Sequence, residues 1–332
     1  MPRYRTIRTL GLAGLAALLA LPATAADKVD VQLDWVVRGN HAMFFVARDK
    51  GLFAQNGIEI GEIRKGSGSP DTMRLVANGN AQFGFGDLPT LAVAVSQNVA
   101  VVALAAVNQR SPLAMIALAQ TKALKSPADL KGLHIGIHPA GSTYIFFKAF
   151  LAANGLKEAD FKISSMAPPY ESYLLLKRVD VVPGYIDAEV PELEDKAGGA
   201  GSLSILLGAD FHYEAYGSGL LTAAKLIQDN PDLVKRFVAA YKKAFEWTVQ
   251  NPDEAASITA KAVPGYADKA PVLLAQIKAD IGSTFSTDDT KAHGLGWMTK
   301  ARWQTTVDTL SSQGALKGEL AADTLFTDQF LQ

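Results

Sequence analysis

The sequence predicts an α/β fold divided into two lobes with a central cleft, and three observations carry that prediction. Short β-rich runs alternate with helical patterns from residue 29 onward, the signature of α/β units. The alternation is interrupted by the polar stretch Asn108, Gln109, Arg110, Ser111, Pro112, after which a second α/β set begins. Beyond residue 225 the strand signals fade and long amphipathic segments take over.

Taken in order, residues 29–33 alternate as a strand, 42–56 carry a helical pattern stopped by Gly57, and 58–63 form the next strand. Ser69 is placed to cap a helix that starts at Pro70 and ends at Asn78 and Gly79. Residues 82–86 read as a third strand, and the apolar runs 99–107 and 113–119 flank the crossing point between lobes. The second set has strands at 133–137 and 162–166 around a helix at 143–153. A short helix at 170–177, strands at 179–183 and 203–207, and a return strand near 219–223 follow. The end is helical, with 232–250 (Leu233, Phe237, Tyr241, Phe245) and 299–313 as the clearest segments. The expected division is 26–112 plus 220–332 for the first lobe and 113–219 for the second, with mostly parallel sheets.

Composition narrows the function. Of 332 residues 48% are apolar and 20% charged, which suits a soluble globular chain with a sizeable core. Lys plus Arg number 32 against 33 Asp plus Glu, so the basic excess needed to hold a phosphate backbone is missing and nucleic acid is not an expected partner. There is no cysteine, which removes disulfides, thiolate metal sites, Cys nucleophiles and lipid attachment through an N-terminal Cys. Arg3, Arg5 and Arg8 precede an apolar run at 10–21, and Pro22 then leads into the small residues 23–26. This is the pattern of a secretory signal peptide, residues 1–25, cleaved after Ala25. The run is shorter than the about 20 residues that span a bilayer. Cleavage moves the formal charge from −1 to −4 by removing those three arginines. The expectation is a soluble, monomeric periplasmic protein, for a Gram-negative source.

Candidate site residues sit where strands end and helices begin, the place where open α/β folds bind ligands. After the first strand come Asp34, Trp35, Arg38, Asn40 and His41. Trp35 and His41 can stack on and hydrogen-bond a planar ligand, and Asp34 reads equally as ligand contact or turn former. The loop Ser67, Gly68, Ser69 runs into a helix N-terminus whose free N–H groups favour an anionic group, although an ordinary capped turn explains it as well. Its counterpart in the second lobe is His138, Gly141, Ser142, Thr143, Tyr144. Tyr170, Glu171, Tyr185, Asp187 and Glu189 add aromatic and acidic groups at the same end, and Asp87 is either a ligand contact or a helix cap. The five histidines show no metalloprotease spacing, no G-x-S-x-G elbow exists, and the Walker pattern is absent. His134 lies inside a strand and reads as packed core. His138 with Ser142 lacks a third partner for nucleophilic catalysis. No metal or cofactor is implied.

Leu33-Asp34-Trp35 with Asn40-His41, Phe45-Val46-Ala47, Lys50-Gly51-Leu52-Phe53 and Gly57-Ile58 resembles the opening of bacterial ABC-transporter solute-binding proteins of the thiamine-pyrimidine-precursor and sulfonate/nitrate/taurine group. Asn78-Gly79, Phe83-Gly84, Val179-Asp180, Gly184-Tyr185, Tyr216-Gly217, Gly296-Trp297, Arg302-Trp303 and Gly314 continue the likeness through nearly the whole chain. The resemblance implies a type II periplasmic binding protein fold, hinge closure on a small ligand, and delivery to a membrane permease with its ATPase. It also implies that Trp35, Asn40, His41, Tyr185, Asp187 and Glu189 contact a thiamine pyrimidine precursor. The chain departs from the group's pattern at Val37-Arg38, where Pro-Asn is usual, and at Asp187, where Asn is usual. Arg38 suits an aromatic carboxylate, a sulfonate or nitrate as the alternative ligand. The fungal thiamine-pyrimidine synthases are also similar but carry a cysteine-rich motif that this chain lacks. An enzyme is the competing class, with His138 or His41 as base and Glu189 or Asp187 as partner, and a chemosensory component is the third.

Overall fold

The computed structural model describes residues 1–2, 26–167 and 171–332. The expected signal segment beyond Pro2, and Tyr170, lie outside the described residues. In chain order the strands are β1 (Asp27–Gln32), β2 (Ile58–Arg64), β3 (Phe83–Asp87), β4 (Val101–Ala106), β5 (Leu113–Leu118), β6 (His134–Ile137), β7 (Lys162–Ser165), β8 (Val181–Tyr185), β9 (Leu203–Leu207) and β10 (Ser218–Ala223). They form two five-stranded sheets, ordered β2-β1-β3-β10-β4 and β7-β6-β8-β5-β9.

Both sheets are mixed rather than mostly parallel. In the first, β10 runs antiparallel to β3 and β4; in the second, β5 runs antiparallel to β8 and β9. The reason lies in the connectivity, because β5 and β10 are the strands by which the chain enters one lobe from the other. Such an entry needs no right-handed crossover helix, so the strand is free to run against its neighbours. The parallel strands β1, β3, β6 and β8 all end at the cleft.

Several helices differ from the sequence expectation. The pattern at 42–56 divides into Ala42–Asp49 and Leu52–Gln55 around Gly51, whose φ of 68° breaks the first helix. Gly68, not Ser69, is the N-cap of helix Ser69–Ala77, so Ser69 opens the helix and its hydroxyl is free for other partners. Helix Leu88–Ser96 follows β3 directly, capped by the Asp87 side chain on the Thr90 N–H (2.9 Å). Its nearly unbroken apolar sequence hides the helical period. The strand expected at 179–183 lies at Val181–Tyr185, which puts Tyr185 on the strand itself. His134, expected in the core, is half-buried and bonds Ser164 Oγ (2.7 Å).

Helix Pro231–Gln250 buries Val234, Phe237, Val238, Tyr241 and Phe245 on the first sheet, with Phe83 and Phe237 stacked face to face. Burying each large apolar side chain stabilises by about 1.5–3 kcal/mol. Helix Ala270–Ser283 buries Leu273 and Ile277 in the same core, and Gln276 on the same face reaches the second lobe. Among the described residues no helix is long and apolar enough to cross a membrane.

Candidate ligand-binding cleft

The cleft wall of the first lobe starts where β1 ends. Gly66 lies against the backbone there, and a Cβ at that position would come within 2.2 Å of the Leu33 carbonyl oxygen. This closeness lets the Gly66 N–H donate to Trp35 O (3.0 Å) and the Gly68 N–H to Asp34 O (2.7 Å), pinning the strand end to the N-terminus of helix Ser69–Ala77.

The side chains there form one buried network centred on Asp34, which is 3% exposed. Asp34 Oδ2 accepts from Arg38 Nη2 at 2.9 Å and from Ser69 Oγ at 3.3 Å. The Arg38 backbone N–H donates to His41 Nδ1 (3.2 Å), which leaves the Nε2–H of His41 to donate to Asp34 Oδ1 (2.9 Å). Burial pushes the Asp34 carboxyl upward, but the Arg38 charge and the His41 and Ser69 hydrogen bonds outweigh it and hold the carboxyl below its ordinary value. Burial lowers the pKa of His41 despite Asp34, so the ring is neutral. Burial opposes the Arg38 charge, yet Asp34 and Glu189 raise its pKa further above the ordinary value.

The second lobe's wall is built differently. Tyr185, at the end of β8, pairs its Oη with Ser142 Oγ (2.6 Å) at the start of helix Ser142–Ala153. Glu189 Oε2 accepts from the Tyr185 backbone N–H (2.7 Å). Burial raises the Tyr185 phenol well above its ordinary value, so it stays neutral. The two walls meet where the Arg38 guanidinium lies 4.7 Å from the Tyr185 ring centroid, a cation–π contact. Trp35 approaches His138 with ring centroids 6.2 Å apart.

Between these walls lies a narrow cavity, partly open to solvent. Of the residues expected from sequence, Trp35, Arg38, Gly68, Ser69, Ser142, Thr143, Tyr185 and Glu189 line it, and so do Asp34, His138 and Gly141. Asn40, His41, Asp87 and Asp187 are buried and do not line it. His41 instead braces Asp34 from behind. Asn40 joins Arg38 Nε (3.2 Å) to Asp187 Oδ2 (3.3 Å) across the lobe junction. Asp87 is the cap already described, and burial pushes its carboxyl up to about 7. Ser67 is exposed and bonds Asp71, while Tyr144 reaches toward Glu158 on the outer face of its helix. A second hollow shares Trp35, Arg38 and Glu189 with the first and extends to Val36, Glu192 and Gln276.

The residues that join the lobes carry no motif in the sequence. Gln276 accepts from the Gly39 N–H (2.8 Å) and donates to Ala188 O (2.9 Å), linking the Arg38 turn to the second lobe. A Cβ on Gly39 would fall 2.6 Å from Gln276 Cβ, so only glycine admits this approach. Asn108, at the first crossing, donates to Asp280 Oδ1 (2.6 Å) and accepts from the Ser218 N–H (3.2 Å) at the second. One signal was available in the sequence. Gln276 and Asp280 stand one turn apart within the apolar stripe Leu273, Ile277 of helix Ala270–Ser283, where polar residues must have partners.

His138 and Ser142 have separate partners at the cavity. Ser142 is bonded to Tyr185, and His138 Nδ1 donates to Met166 O (3.3 Å), so the two do not form a base and nucleophile. Among the described residues no group of three His, Asp or Glu side chains could hold a metal ion.

Comparisons with known proteins agree with this architecture. The chain is 26% identical to the riboflavin-binding protein RibY of Chloroflexus aurantiacus over 308 residues, 92% of this chain and 86% of that protein. It is 27% identical to the formylaminopyrimidine-binding protein of Halalkalibacterium halodurans over 236 residues, 70% of each. Among solved structures, the periplasmic aliphatic sulphonate binding protein SsuA from Escherichia coli superposes with a TM-score of 0.65 at 16% identity, covering 90% of this chain and 91% of that one. The periplasmic nitrate-binding protein NrtA from Synechocystis gives 0.67 at 13% identity, covering 92% and 87%. These show a periplasmic binding protein fold, as the resemblance implied. The family model described as NMT1/THI5 like matches residues 38–255, from the Arg38 turn through the whole second lobe, and the chain therefore belongs to the NMT1/THI5-like family.

Proposed function

We propose that the chain is an exported solute-binding protein that closes its two lobes on a small planar heterocycle, an amino-substituted pyrimidine above all, and delivers it unchanged to an ABC permease. One observation carries the reading: a cavity lined from both lobes, with Trp35 as an aromatic surface and the Arg38 charge already paired with Asp34. A planar ring gains stacking area from Trp35. The Glu189 carboxylate and the N–H groups at Ser69 and Ser142 then read its polar edge.

The state of Arg38 decides between ligand classes. A free guanidinium would suit a carboxylate or sulfonate, but here it donates to Asp34 and Asn40 and covers the Tyr185 ring. With Asp34 and Glu189 also lining the cavity, an anion would meet no unpaired positive charge, and the sulfonate or nitrate alternative loses support. The relatives that bind riboflavin and formylaminopyrimidine, both flat heterocycles, support the same choice. A relative from Legionella pneumophila is named a pyrimidine phosphate synthase, at 23% identity over 71% of this chain, so turnover needs a direct test.

The test is a thermal-shift screen of the chain produced from Ala26 against aminopyrimidines, flavins, aromatic carboxylates, sulfonates and nitrate, followed by recovery of the bound compound. Binding to the folded state raises the melting temperature by mass action. A selective shift by a neutral heterocycle, recovered intact, is the expected result. A shift confined to anions would reverse the reading of Arg38, and depletion of the compound would make the chain an enzyme.

A further inference from the structure

Behind the cavity, where the lobes join, two acids face each other with no cation dedicated to them. Asp187 follows β8 in the second lobe and is 1% exposed; Asp280 sits on helix Ala270–Ser283 of the first-lobe core and is fully buried. Both carboxyls converge on one donor, Asn108 Nδ2, which lies 2.6 Å from Asp280 Oδ1 and 3.5 Å from Asp187 Oδ2. Each has one oxygen supplied with donors. Asp280 Oδ1 accepts from Asn108 Nδ2 (2.6 Å) and Thr284 Oγ1 (2.6 Å), and Asp187 Oδ2 accepts from Asn40 Nδ2 (3.3 Å). The other two, Asp280 Oδ2 and Asp187 Oδ1, are buried and receive no donor from any side chain or backbone group.

Two buried carboxylates converging on one donor cannot both stay charged, and a carboxylic acid is the donor that satisfies both orphaned oxygens at once. The groups around the pair do not supply a substitute. Arg38 acts on Asp187 from the first-lobe turn but is committed to Asp34, His41 beside it is neutral, and Tyr241 of helix Pro231–Gln250 is a buried phenol near Asp280. Asn108 and Thr284 are uncharged and already engaged with Asp280. We propose that Asp280 holds a proton in the closed protein and donates it to Asp187 across the lobe junction, so that closing the cleft takes up a proton and opening it releases one. Burial, followed by the charge and hydrogen bond of Asp187, raises Asp280 well above the ordinary carboxylate value in this arrangement. In an open form water reaches both groups, the orphaned oxygens are solvated, and the proton is lost at ordinary pH.

The consequence is a closure equilibrium tied to pH: acid favours the closed form and alkali the open one, whatever solute is carried. The idea rests on the reading that the lobes part and close, and the experiment separates the two. The chain has no cysteine, so Glu59→Cys on β2 and Lys162→Cys on β7, both exposed and on the outer strands of the two sheets, give a clean pair of spin labels. Distances between them are recorded across pH in the chain from Ala26. The expected result is a short-distance population that falls as pH rises, by up to about tenfold per unit, the limit for one linked proton. Asp280→Asn supplies a permanent donor in the same place and is expected to remove the dependence. Asp187→Asn, which donates from the other side, is a second variant in case the first folds poorly. A pH dependence unchanged in both variants, or one abolished by Asp87→Asn instead, overturns the proposal. If pH does nothing but 4-aminopyrimidine shortens the distance, the proton latch is wrong and lobe closure stands. If neither moves the labels, closure itself fails and the latch with it.

Discussion

The two walls of the cleft reach the same surface by opposite means. On the first lobe a buried carboxylate is held between a guanidinium, a neutral imidazole and a hydroxyl within the Asp34, Arg38, His41, Ser69 network. On the second lobe the wall is uncharged apart from Glu189, with a phenol on a serine and a backbone N–H on the glutamate. The difference teaches that the first wall must be complete before any ligand arrives, because an unpaired charge there is costly. The second can yield, since its parts are individually weak. In the proposed closure, the first lobe is thus the fixed platform and the second the closing jaw.

Removing Asp34 is the strongest way to break that contrast. Asp34→Ala leaves the Arg38 charge buried without its carboxylate, and breaking one side of a buried pair costs about 3–5 kcal/mol. Urea unfolding of the variant is expected to show a loss of that size. The exposed pair Arg74–Asp71 on the same lobe provides the control, and Arg74→Ala is expected to cost less than about 1 kcal/mol. Equal losses would mean that the Asp34 network is not sequestered from water.

The next effect is one of pH. Asp87 has a folded pKa pushed up to about 7 from 3.8, chiefly by burial, against its hydrogen bonds from Thr90. A raised folded pKa gives stability that is complete below the unfolded value and lost as pH rises through the folded one, here between about 4 and 7. The shift corresponds to roughly 4 kcal/mol. Asp34 slopes the other way: its lowered pKa gives stability present above the ordinary value and lost in stronger acid. Asp87→Asn retains an N-cap acceptor and is expected to flatten the melting temperature across pH 4 to 7. Some slope remains from Asp280, which is shifted in the same direction. A profile unaltered by Asp87→Asn would place the titration elsewhere.

Trp35 tests the platform as a binding surface. It is half-buried, lines both hollows and packs toward the second lobe. Stacking of a heterocyclic base on an aromatic side chain is worth about 1–3 kcal/mol. Trp35→Ala is therefore expected to weaken an aminopyrimidine about 5- to 150-fold by calorimetry while moving the melting temperature little. An equal loss of stability and affinity would make Trp35 a packing residue between the lobes.

The sequence exposed one side of this site and hid the other. Trp35, Ser142 and Tyr185 were legible because each lies at a strand end or a helix start, where alternation gives way to turn residues. The supports were not legible, because nothing local requires them. Asp34 and Arg38 are four residues apart but not on a helix, and their pairing depends on the loop that Gly66 pins. Gln276 meets Gly39 across 237 positions, and Asp280 meets Asn108 across 172, so only the folded chain brings them together. The strand at 179–183 was displaced because Val179 is as apolar as the strand that follows. The mixed sheets were missed because periodicity carries no strand direction.

The smallest effect discriminates best between the two walls. Tyr185 and Ser142 share a 2.6 Å hydrogen bond between buried hydroxyls, and the Tyr185 ring carries Arg38 on its face. Tyr185→Phe keeps the ring and removes the bond, at an expected cost of about 1 kcal/mol. Ser142→Ala removes the same bond from the other side, so the double variant should lose about 1 kcal/mol less than the sum of the single losses. Because both partners are neutral, this coupling should be the same at low and high salt. A coupling that changed with salt would mean that the second wall is as electrostatic as the first, and the distinction between platform and jaw would fall. A coupling near zero would mean that the two hydroxyls act separately, each turned to the cavity, where a ligand rather than its neighbour would satisfy it.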